Sequence, residues 1–377
     1  MANIFIFAFD LTEASQIRRI KSIQILGYEV QSAAFRRGNM NVAFQPEWPN
    51  VDLGYVPNEN YSKRIIGILR GIWRMVWQRQ LLKKADIVIA RNFDLLIIAW
   101  ATRLLTGTWR TPLVYECLDI HGLFTRNDVA GAVMRWFERR LLTRIKLLIV
   151  SSPGFITHYF SSVQGYQGPH ITIENKLWFD GPPSARPKKR NCTGVLTIGW
   201  VGSIRCAPSM KILMDTADHF DDRIAIHIHG NVHQHVLPDF DSQIASRANV
   251  TYFGPYNYPD DLALIYADCD MVWAQDLWQR GANSDWLLPN RIYEASWFGC
   301  PSIAVTDTET GRNISRNNLG FTLATPSADA LIDLVDRVDP STINEVSDQL
   351  LAKDDAAFML HSNDVKAALE LVFQYNS

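Results

Sequence analysis

The chain has 377 residues, of which 47% are hydrophobic and 20% are charged, so we expect a globular protein with two hydrophobic cores. Its five cysteines are scattered without a C-x-x-C pair, which argues against a disulfide framework or a cysteine-ligated zinc. No apolar run approaches the roughly 18 to 20 residues that span a bilayer, and the start of the sequence lacks a basic leader, so a cytoplasmic protein is predicted.

The net charge of −2 is unevenly distributed along the chain. Residues 1–190 contain 26 Lys and Arg against 14 Asp and Glu, whereas residues 191–377 contain 11 against 25. This asymmetry predicts two separate bodies with different partners. The basic half should prefer an anionic surface, which could be a membrane, a nucleic acid or a phosphorylated acceptor.

Short apolar runs alternate with segments of helical periodicity along the whole chain. In the first half the predicted strands are NIFIFAF, EVQSAAF, ADIVIAR, PLVYECL, KLLIVSS and HITIENK; in the second they are VLTIGWVG, IAIHIHG, VTYFG, CDMVWA and PSIAV. Such alternation is typical of βαβ units, which build a parallel sheet covered on both faces. We therefore predict an α/β protein with two Rossmann-like parallel-sheet domains that face each other across a cleft.

The segment FDGPPSARPKKRNCTG is rich in proline, glycine and charge, and it is the natural linker between the two domains. The predicted domains are residues 1–178 and 195–354, joined by this linker at 179–194. A final helical segment, 355–377, is predicted to pack back on the first domain.

The first predicted domain contains an unusually basic helical segment, residues 62–87. Isoleucine, valine and tryptophan separate its cations, and it has no acidic residue before Asp86. A helix of this type can lie in a membrane interface with its cations on an anionic leaflet. It can also pack its apolar face on the sheet, and both interpretations can hold together. The residues assigned to membrane or acceptor binding are Lys63, Arg64, Arg70, Trp73, Arg74, Trp77, Arg79, Lys83 and Lys84.

Further along, the stretch VYECLDIHGLF closes a predicted strand. Asp119 and His121 follow that strand, and the ligand sites of doubly wound sheets lie beyond the carboxyl ends of strands. Carboxylates and imidazoles also serve as general acids and bases. Alternatively, Asp119 caps a helix and His121 is a polar lining of the cleft.

In the second half, the stretch GWVGSIRCAPSMK combines a strand end at Gly202, a short loop with Arg205, and a helix with Lys211 in its first turn. A glycine-bearing loop that leads into a helix N-terminus can bind an anion through its free N–H groups. Arg205 and Lys211 would add two positive charges for a diphosphate. The same pattern also fits a surface loop with two solvated cations.

The stretch NSDWLLPNRIYEASWFGCP is predicted to form a buried helix that begins at Pro289 and ends at Gly299. Glu294 lies near the middle of this apolar helix. A carboxylate can accept hydrogen bonds from two vicinal hydroxyls, as acidic residues do with ribose in dinucleotide-binding folds. The alternative is a glutamate on the solvent side of the helix.

Together these stretches resemble the GT-B glycosyltransferases, especially the family-4-like enzymes. PNRIYEASWFGCPSIA resembles their donor-binding helix, N-K-x-x-E-x-x-x-x-G-x-P, whose glutamate binds the nucleotide ribose. GSIRCAPSMK is similar to their pyrophosphate loop, NVTYFGPYNYPDDLALIYADCDMVW to the block whose Gly-Pro turn lies near the base, and ITIENKLWFD to the element that ends the first domain. The resemblance covers most of the chain and points to bacterial exopolysaccharide enzymes of the succinoglycan type.

The resemblance implies a donor site formed by Gly202, Arg205, Lys211, Gly254, Pro255, Tyr256, Asp285, Asn290 and Glu294. Many family-4 enzymes have another glutamate eight residues before the ribose-binding one, where this chain has Trp286 beside Asp285. Asp285 or Asn283 could replace that acid. By the same resemblance, Asp119 would be the general base of an inverting reaction; in a retaining reaction His121 would position the sugar while the β-phosphate oxygen takes the proton.

The resemblance predicts a hexosyltransferase that moves a sugar from a nucleotide-diphosphate sugar, with UDP favoured over GDP, to a lipid-linked oligosaccharide in exopolysaccharide or cell-surface polysaccharide synthesis. The expected partners are this donor, this acceptor and the anionic inner leaflet, to which the enzyme would bind peripherally; no nucleic acid is expected. The alternatives are a nucleotide-sugar epimerase of the same fold and a non-catalytic nucleotide-binding homologue.

Two patterns suggest a metal, namely the histidines at 227, 229, 233 and 235 and the DCD at 268–270, which is similar to the D-x-D of metal-dependent transferases. No cysteine or acidic ligand stands at a matching offset from the histidines, and the DCD joins a helix to a core strand. We therefore predict that no metal or other cofactor is required.

Overall fold

The computed structural model describes residues 2–37, 44–56, 61–179, 181, 183–187, 192 and 194–374. The chain divides into two compact units, of which the first comprises Met1–Glu174 with His361–Ser377 and the second comprises Asn175–Leu360. Residues 180, 182, 188–191 and 193 of the predicted linker, and 375–377 of the predicted final helix, lie outside the described residues.

The first unit is built on seven strands that all pair in parallel. They are β1 (Asn3–Ala8), β2 (Glu29–Arg36), β3 (Asn50–Tyr55), β4 (Ile87–Arg91), β5 (Leu113–Cys117), β6 (Leu147–Val150) and β7 (His170–Thr172). Their order in the sheet is β3-β2-β1-β4-β5-β6-β7. The central strands are buried along their whole length, as expected for a parallel sheet covered on both faces.

Helices connect these strands. They are α1 (Ala14–Ile25), α2 (Tyr61–Trp77), α3 (Arg79–Lys83), α4 (Phe93–Leu105), α5 (Gly122–Thr125), α6 (Val129–Leu142) and α7 (Pro153–Phe155). Helix α4 packs on β1, β4 and β5 and also contacts α2 and α6. Helix α2 therefore lies over α4 and β3, and this placement brings the start of the basic segment near the loops of the sheet.

The second unit has six parallel strands. They are β8 (Leu196–Ile204), β9 (Ile224–Val232), β10 (Val250–Gly254), β11 (Met271–Trp273), β12 (Ser302–Val305) and β13 (Gly320–Leu323), in the order β10-β9-β8-β11-β12-β13. The helices are α8 (Ala207–Phe220), α9 (Phe240–Ala245), α10 (Leu262–Ala267), α11 (Asn283–Trp286), α12 (Asn290–Trp297), α13 (Glu309–Asn317), α14 (Ala328–Arg337) and α15 (Pro340–Leu351).

Successive residues of a strand in this second sheet serve two different cores. On β12, Ile303 and Val305 belong to the core that includes residues of α8 and α14, whereas Ala304 belongs to the core that includes residues of α10 and α12. Because side chains alternate across a sheet, both faces of this sheet are covered. The predicted pair of Rossmann-like parallel sheets is confirmed.

A last helix, α16 (Ser362–Gln374), belongs to the first unit, where it packs on α1 and β6. The rings of Tyr28 and Phe373 stack there with centroids 6.5 Å apart. The division between the units falls at 174/175 and at 360/361, a few residues from the predicted boundaries at 178 and 355.

The described part of the predicted linker packs on the second unit. Phe179 and Cys192 are buried in its two cores. The Arg186 guanidinium donates hydrogen bonds to the carbonyl oxygens of Trp297 (3.1 Å) and Leu350 (2.6 Å). These contacts fasten the segment to the second unit.

Candidate functional site

Two glycines near the carboxyl ends of β8 and β9 approach each other closely. Gly202 on β8 and Gly230 on β9 are paired in register, with φ angles of +117° and +140°. A Cβ atom at position 230 would lie 1.7 Å from the carbonyl oxygen of Gly202, so only glycine fits there. Gly202 thus lies near the carboxyl edge of the sheet, where ligands bind in doubly wound folds.

Arg205 follows β8, and two neighbours fix its guanidinium. Its central carbon lies 4.3 Å from the ring centre of Trp278, and its Nη2 is 3.7 Å from Oδ2 of Asp276. The position of Asp276 is fixed in turn, because its Oδ1 accepts hydrogen bonds from the backbone N–H of Trp278 (2.8 Å) and from the Ser284 hydroxyl (2.9 Å). The Arg205 side chain stays 34% exposed, so it is oriented and still accessible to an anion.

Lys211 stands one turn into α8, not in the first turn as predicted, because the helix begins at Ala207. Its side chain is 74% exposed, and its Nζ lies 2.7 Å from Oδ2 of Asp215. A solvated pair of this kind contributes little to stability. Of the two predicted phosphate-binding cations, Arg205 is the one that the fold orients.

Glu294 is buried, with 4% of its surface exposed, so the alternative of a solvent-facing glutamate is wrong. Its neighbours on α12 are in the core as well, namely Ile292, Tyr293, Ala295 and Trp297. The hydroxyl of Tyr266 donates a hydrogen bond of 3.0 Å to Oε2 of Glu294. Burying an ionised carboxylate costs several kcal/mol, so a glutamate at this position requires compensating hydrogen bonds or charges.

Arg291 and Tyr256 lie in the electrostatic field of Glu294. Burial raises the pKa of the Tyr256 hydroxyl, the Glu294 carboxylate raises it further, and Arg291 opposes both. The Arg291 Nη1 lies 3.4 Å from the Trp273 carbonyl oxygen, and its Nη2 would be 3.6 Å from a Cβ on Gly202. Arg291 thus lies near Gly202 and acts on the same tyrosine hydroxyl as Glu294.

The other predicted donor residues surround this centre or a neighbouring loop. Gly254 ends β10 with a φ of +87°, and the exposed Pro255 leads to the partly buried Tyr256. Asn290 is the first residue of α12. These placements bring the Gly-Pro turn and the start of α12 toward the same carboxylate.

Asp285 is bound on both oxygens. Its Oδ1 accepts a hydrogen bond of 2.8 Å from Nη1 of Arg280, and its Oδ2 accepts one of 2.7 Å from the Gly281 N–H. The same arginine reaches Asp307 through Nη2 at 3.1 Å. Asp285 therefore belongs to an ion-pair network on α11, beside the partly buried Trp286 that replaces the family glutamate.

In the first unit, Asp119 and His121 follow β5, as predicted. Asp119 is exposed. The residue that caps the short helix α5 is His121, whose Nδ1 accepts a hydrogen bond of 3.2 Å from the Leu123 N–H. The alternative that made Asp119 the helix cap is therefore wrong.

A second contact of His121 was missed by the sequence reasoning. Its Nε2 lies 3.1 Å from Nη1 of Arg64, which was assigned to the membrane set. The Nε and Nη2 atoms of Arg64 both donate to Oδ2 of Asp94, at 2.9 and 2.7 Å. Burial lowers the pKa of His121, Arg64 and Arg37 lower it further, and Asp94 opposes them, so the imidazole is neutral near pH 7.

Helix α2 packs on its neighbours mainly through two glycines and a methionine. Its buried positions include Gly67, Gly71 and Met75, four residues apart. A Cβ on Gly67 would lie 2.7 Å from Val56, and one on Gly71 would lie 3.0 Å from Ile98. Five large apolar side chains of the helix remain between 54% and 73% exposed, and they are Ile65, Ile66, Leu69, Trp73 and Trp77.

Five cations of the predicted membrane set are exposed, on α2 and on or beside α3. The exposed ones are Lys63, Arg70, Arg79, Lys83 and Lys84. Arg74 turns away, since its Nη1 donates a hydrogen bond of 2.6 Å to the carbonyl oxygen of Asp52. No helix within the described ranges is long and apolar enough to cross a membrane.

The histidine-rich strand makes a contact that the spacing did not reveal, with Nδ1 of His227 lying 2.9 Å from Oδ2 of Asp268. Asp270 has a structural contact, because its Oδ2 accepts a hydrogen bond of 2.8 Å from the Thr197 N–H. Within the described part of the chain, no group of three or more His, Cys, Asp or Glu side chains could hold a metal ion.

Comparison with known proteins identifies the family. The succinoglycan biosynthesis protein ExoL of Rhizobium meliloti (strain 1021) is 33% identical over 375 residues, which cover 97% of this chain and 92% of that protein. The chain belongs to the GT-B glycosyltransferases of exopolysaccharide biosynthesis, the family of ExoL. The predicted resemblance and the prediction of an enzyme are confirmed. No protein-family model matches the chain.

Solved structures show the same GT-B fold over nearly the whole length. Anabaena HepE, in complex with UDP and glucose, gives a TM-score of 0.71 at 14% identity, covering 98% of this glycosyltransferase and 99% of HepE. Sucrose-phosphate synthase from Thermosynechococcus elongatus gives a TM-score of 0.70 at 12% identity, covering 100% and 99%. At these identities the likeness extends to the fold alone.

Proposed function

We propose that this glycosyltransferase uses a UDP-sugar as donor and a lipid-linked oligosaccharide as acceptor, at the anionic inner leaflet of the membrane. The observation that carries the donor assignment is the buried carboxylate of Glu294. A carboxylate can accept hydrogen bonds from two vicinal hydroxyls, such as those of a nucleotide ribose. HepE has been captured with UDP and with UDP-glucose, which supports UDP as the nucleotide here.

The remaining donor contacts follow from the loops around Glu294. Arg205, oriented by Asp276 and Trp278, neutralises the diphosphate, and the N–H groups at the start of α8 add to the positive field. Arg291, which lies near Gly202 and acts on the Tyr256 hydroxyl together with Glu294, is a further diphosphate or ribose contact. No step in this assignment requires a metal or another cofactor.

The reaction forms a bond between an acceptor hydroxyl oxygen and the anomeric carbon, and it breaks the bond from that carbon to the β-phosphate oxygen. If the anomeric centre inverts, the exposed carboxylate of Asp119 takes the hydroxyl proton. If it is retained, the leaving β-phosphate oxygen takes that proton and His121 positions the sugar. The Nδ1 of His121 already accepts a hydrogen bond from the Leu123 N–H, so it does not take the hydroxyl proton. His121 therefore suits the positioning role.

The membrane assignment is carried by α2. Because Gly67 and Gly71 occupy its packing face, Ile65, Ile66, Leu69, Trp73 and Trp77 are exposed on a helix that also carries exposed cations. A cluster of exposed large apolar side chains marks an interaction surface, and the cations favour an anionic one. Each cation near an anionic leaflet contributes about 1 kcal/mol.

Calorimetry tests the donor site. UDP and GDP are titrated into the wild type, Glu294→Gln and the control Glu345→Gln, which removes the same charge from the exposed face of α15. We expect UDP to bind more tightly than GDP, and Glu294→Gln to weaken UDP binding by about tenfold or more, since hydrogen bonds to charged groups contribute about 1.5 to 3 kcal/mol. Equal binding by all three proteins would refute the ribose contact.

Activity distinguishes the two alternatives. Consumption of a UDP-sugar only when a lipid-linked saccharide is present excludes the epimerase, because an epimerase needs no acceptor. Loss of turnover in Asp119→Ala and His121→Ala, with UDP binding retained, excludes a non-catalytic binding protein.

A further inference from the structure

Exposed apolar side chains of the first unit are not confined to α2. A second group lies on α4, on the loop that follows it and on α6, where each side chain is between 50% and 80% exposed. The group consists of Leu104, Leu105, Trp109, Val129, Val133 and Trp136. On α6 the exposed positions 129, 133, 136 and 140 recur every three or four residues, so they form one stripe along the helix.

These residues belong to the same helical layer as α2. Helix α4 contacts both α2 and α6, so the three helices are neighbours. Each of them lies between two parallel strands in the chain and therefore runs back toward the amino edge of the sheet, where their carboxyl ends come together. Trp77 ends α2, Trp109 follows the end of α4, and Trp136 lies in the second half of α6. The exposed indoles of three neighbouring segments thus lie toward one edge of the sheet.

The exposure of Trp109 is fixed by the fold. Arg103, which is 5% exposed, donates a hydrogen bond of 2.7 Å from Nη2 to the Trp109 carbonyl oxygen and another to the carbonyl oxygen of Thr111. The Thr108 N–H donates a hydrogen bond of 2.9 Å to the Arg103 carbonyl oxygen. A buried guanidinium therefore holds the turn that presents the indole to solvent.

Both tryptophans of this second group have an arginine over the ring. The central guanidinium carbon of Arg110 lies 5.0 Å from the Trp109 ring centre, and that of Arg140 lies 5.5 Å from the Trp136 ring centre. Both arginines are exposed. From 95 to 115 and from 129 to 147 the only acidic residue is Glu138, which is buried. These two segments therefore present apolar and positive side chains and no exposed carboxylate.

We propose that α4 and α6 provide a second membrane-binding patch, so that the first unit binds an anionic bilayer through three neighbouring helices. The α4–α6 patch comprises Leu104, Leu105, Trp109, Arg110, Trp136 and Arg140. Tryptophan rings are enriched at the level of the lipid headgroups, where an arginine beside the ring can bind a phosphate through two hydrogen bonds. This inference rests on the proposed function, because it assigns further residues to the membrane surface proposed there.

The dimensions and the charge of this surface favour a bilayer as its occupant. Neighbouring helices pack about 8 to 10 Å apart, so the axes of α2 and α6, on either side of α4, are separated by on the order of 20 Å. A bound peptide helix is about 10 to 12 Å wide and would cover only part of this width, whereas a lipid surface can reach all three helices. The exposed arginines match anionic headgroups in charge.

Co-sedimentation of the full-length protein with vesicles tests the tryptophans. Vesicles of phosphatidylcholine alone are compared with vesicles that also contain phosphatidylglycerol. Trp109→Ala with Trp136→Ala should weaken binding to the phosphatidylglycerol vesicles by about tenfold, because both indoles lose their apolar contact. Phe253→Ala, which removes an exposed aromatic ring from the second unit, should bind as the wild type does. Equal thermal midpoints show that both variants are folded.

The arginines are tested by the preference for anionic lipid. In Arg110→Gln with Arg140→Gln, the ratio of the affinity for phosphatidylglycerol vesicles to that for phosphatidylcholine vesicles should fall by about tenfold, because two cations no longer face the anionic headgroups. Arg316→Gln removes an exposed arginine from α13 in the second unit and should keep the wild-type ratio. An unchanged ratio in the first variant would refute the role of the two arginines.

The α4–α6 patch is refuted if the Trp109 and Trp136 double variant binds the vesicles as tightly as the wild type while Trp73→Ala with Trp77→Ala binds more weakly. Helix α2 alone would then contact the membrane, and the patch would face another partner, such as a protein. The reverse pattern would support the patch and overturn the assignment of α2. Wild-type protein that binds neither kind of vesicle would refute the membrane assignment of the proposed function itself, and the patch with it.

Discussion

Helices α2 and α12 each depart from the usual rule that apolar side chains are buried and charged ones exposed, and they do so in opposite ways. On α12, an acidic side chain is enclosed among apolar ones, and Glu294 is 4% exposed. On α2, five large apolar side chains are exposed and two glycines face inward, so Trp77 is 73% exposed while Gly67 is buried. Each arrangement costs stability in the isolated chain. The proposed function assigns each of them a ligand of matching chemistry, a ribose for α12 and an anionic lipid surface for α2.

The largest expected effect comes from making α12 an ordinary core helix. In Glu294→Leu combined with Tyr266→Phe, both hydrogen-bonding partners become apolar, a change that is often neutral or stabilising. We expect UDP affinity to fall by about tenfold to a hundredfold while the thermal midpoint stays level or rises. Calorimetry and a melting curve measure the two. A lower midpoint with unchanged affinity would mean that the carboxylate serves the fold.

The second prediction concerns the inward face of α2. Gly67→Leu places a side chain where even a Cβ would be 2.7 Å from Val56. Overpacking of this kind costs about 1 to 3 kcal/mol, whereas Trp77→Ser, on the outward face, should change stability by less than about 0.5 kcal/mol. Differential scanning calorimetry compares the two. A Trp77 variant that is the less stable one would reverse the assignment of the faces.

The third prediction concerns the outward face of α2. Trp73→Ala with Trp77→Ala should weaken binding to phosphatidylglycerol-containing vesicles by about tenfold, because both indoles lose their apolar contact. Co-sedimentation measures the bound fraction, and high salt should reduce it further. Phe253→Ala, an exposed aromatic residue of the second unit, is the control. If the double variant binds as the wild type does, the exposed face of α2 has another partner.

The smallest expected effect is the pH dependence of stability that comes from Glu138, a buried glutamate outside the proposed donor site. Glu138 on α6 accepts hydrogen bonds from Gln164 (2.6 Å), Tyr115 (3.3 Å) and the Tyr159 hydroxyl. Burial raises its pKa to about 7, against the opposing effect of these donors. The folded state thus binds this proton more tightly than the unfolded chain, and the contribution to stability falls as pH rises from 4.5 to 7.

Glu138→Gln keeps the shape of the side chain and removes the titration. Between about pH 5 and pH 7 the wild type should lose at least about 1 kcal/mol more stability than this variant, with UDP binding unchanged in both. Urea denaturation at the two pH values gives the difference. Parallel pH profiles would show that Glu138 does not titrate in this range.

The sequence predicted most of the fold because buried parallel strands have continuous apolar runs. All eleven predicted runs contain a strand. The two missed strands, β3 (NVDLGY) and β13 (GFTL), each lie at an edge of a sheet, where one side of the strand has no neighbour. On β3 only Leu53 is fully buried, so its pattern is weak.

The residues of the candidate site also differ in how far the sequence could predict them. The burial of Glu294 on α12 followed from the sequence, because the apolar pattern around it lies within one helix. Its ribose role stays a prediction. The contact of Arg64 with His121 was not predictable, because 57 residues separate them and only the packing of α2 on α4 brings them together. The same holds for Arg205 and Asp276, which meet because their strands, β8 and β11, are neighbours in the sheet.

The return of α16 to the first unit has a consequence for biosynthesis. The second unit is continuous from Asn175 to Leu360, so every residue it needs is adjacent along the chain when it emerges from the ribosome. The first unit must wait, because Val365, Leu369 and Val372 are buried in its final helix. The half that is translated first is therefore finished last, and a fragment that ends at Glu174 would lack the helix that packs on α1 and β6.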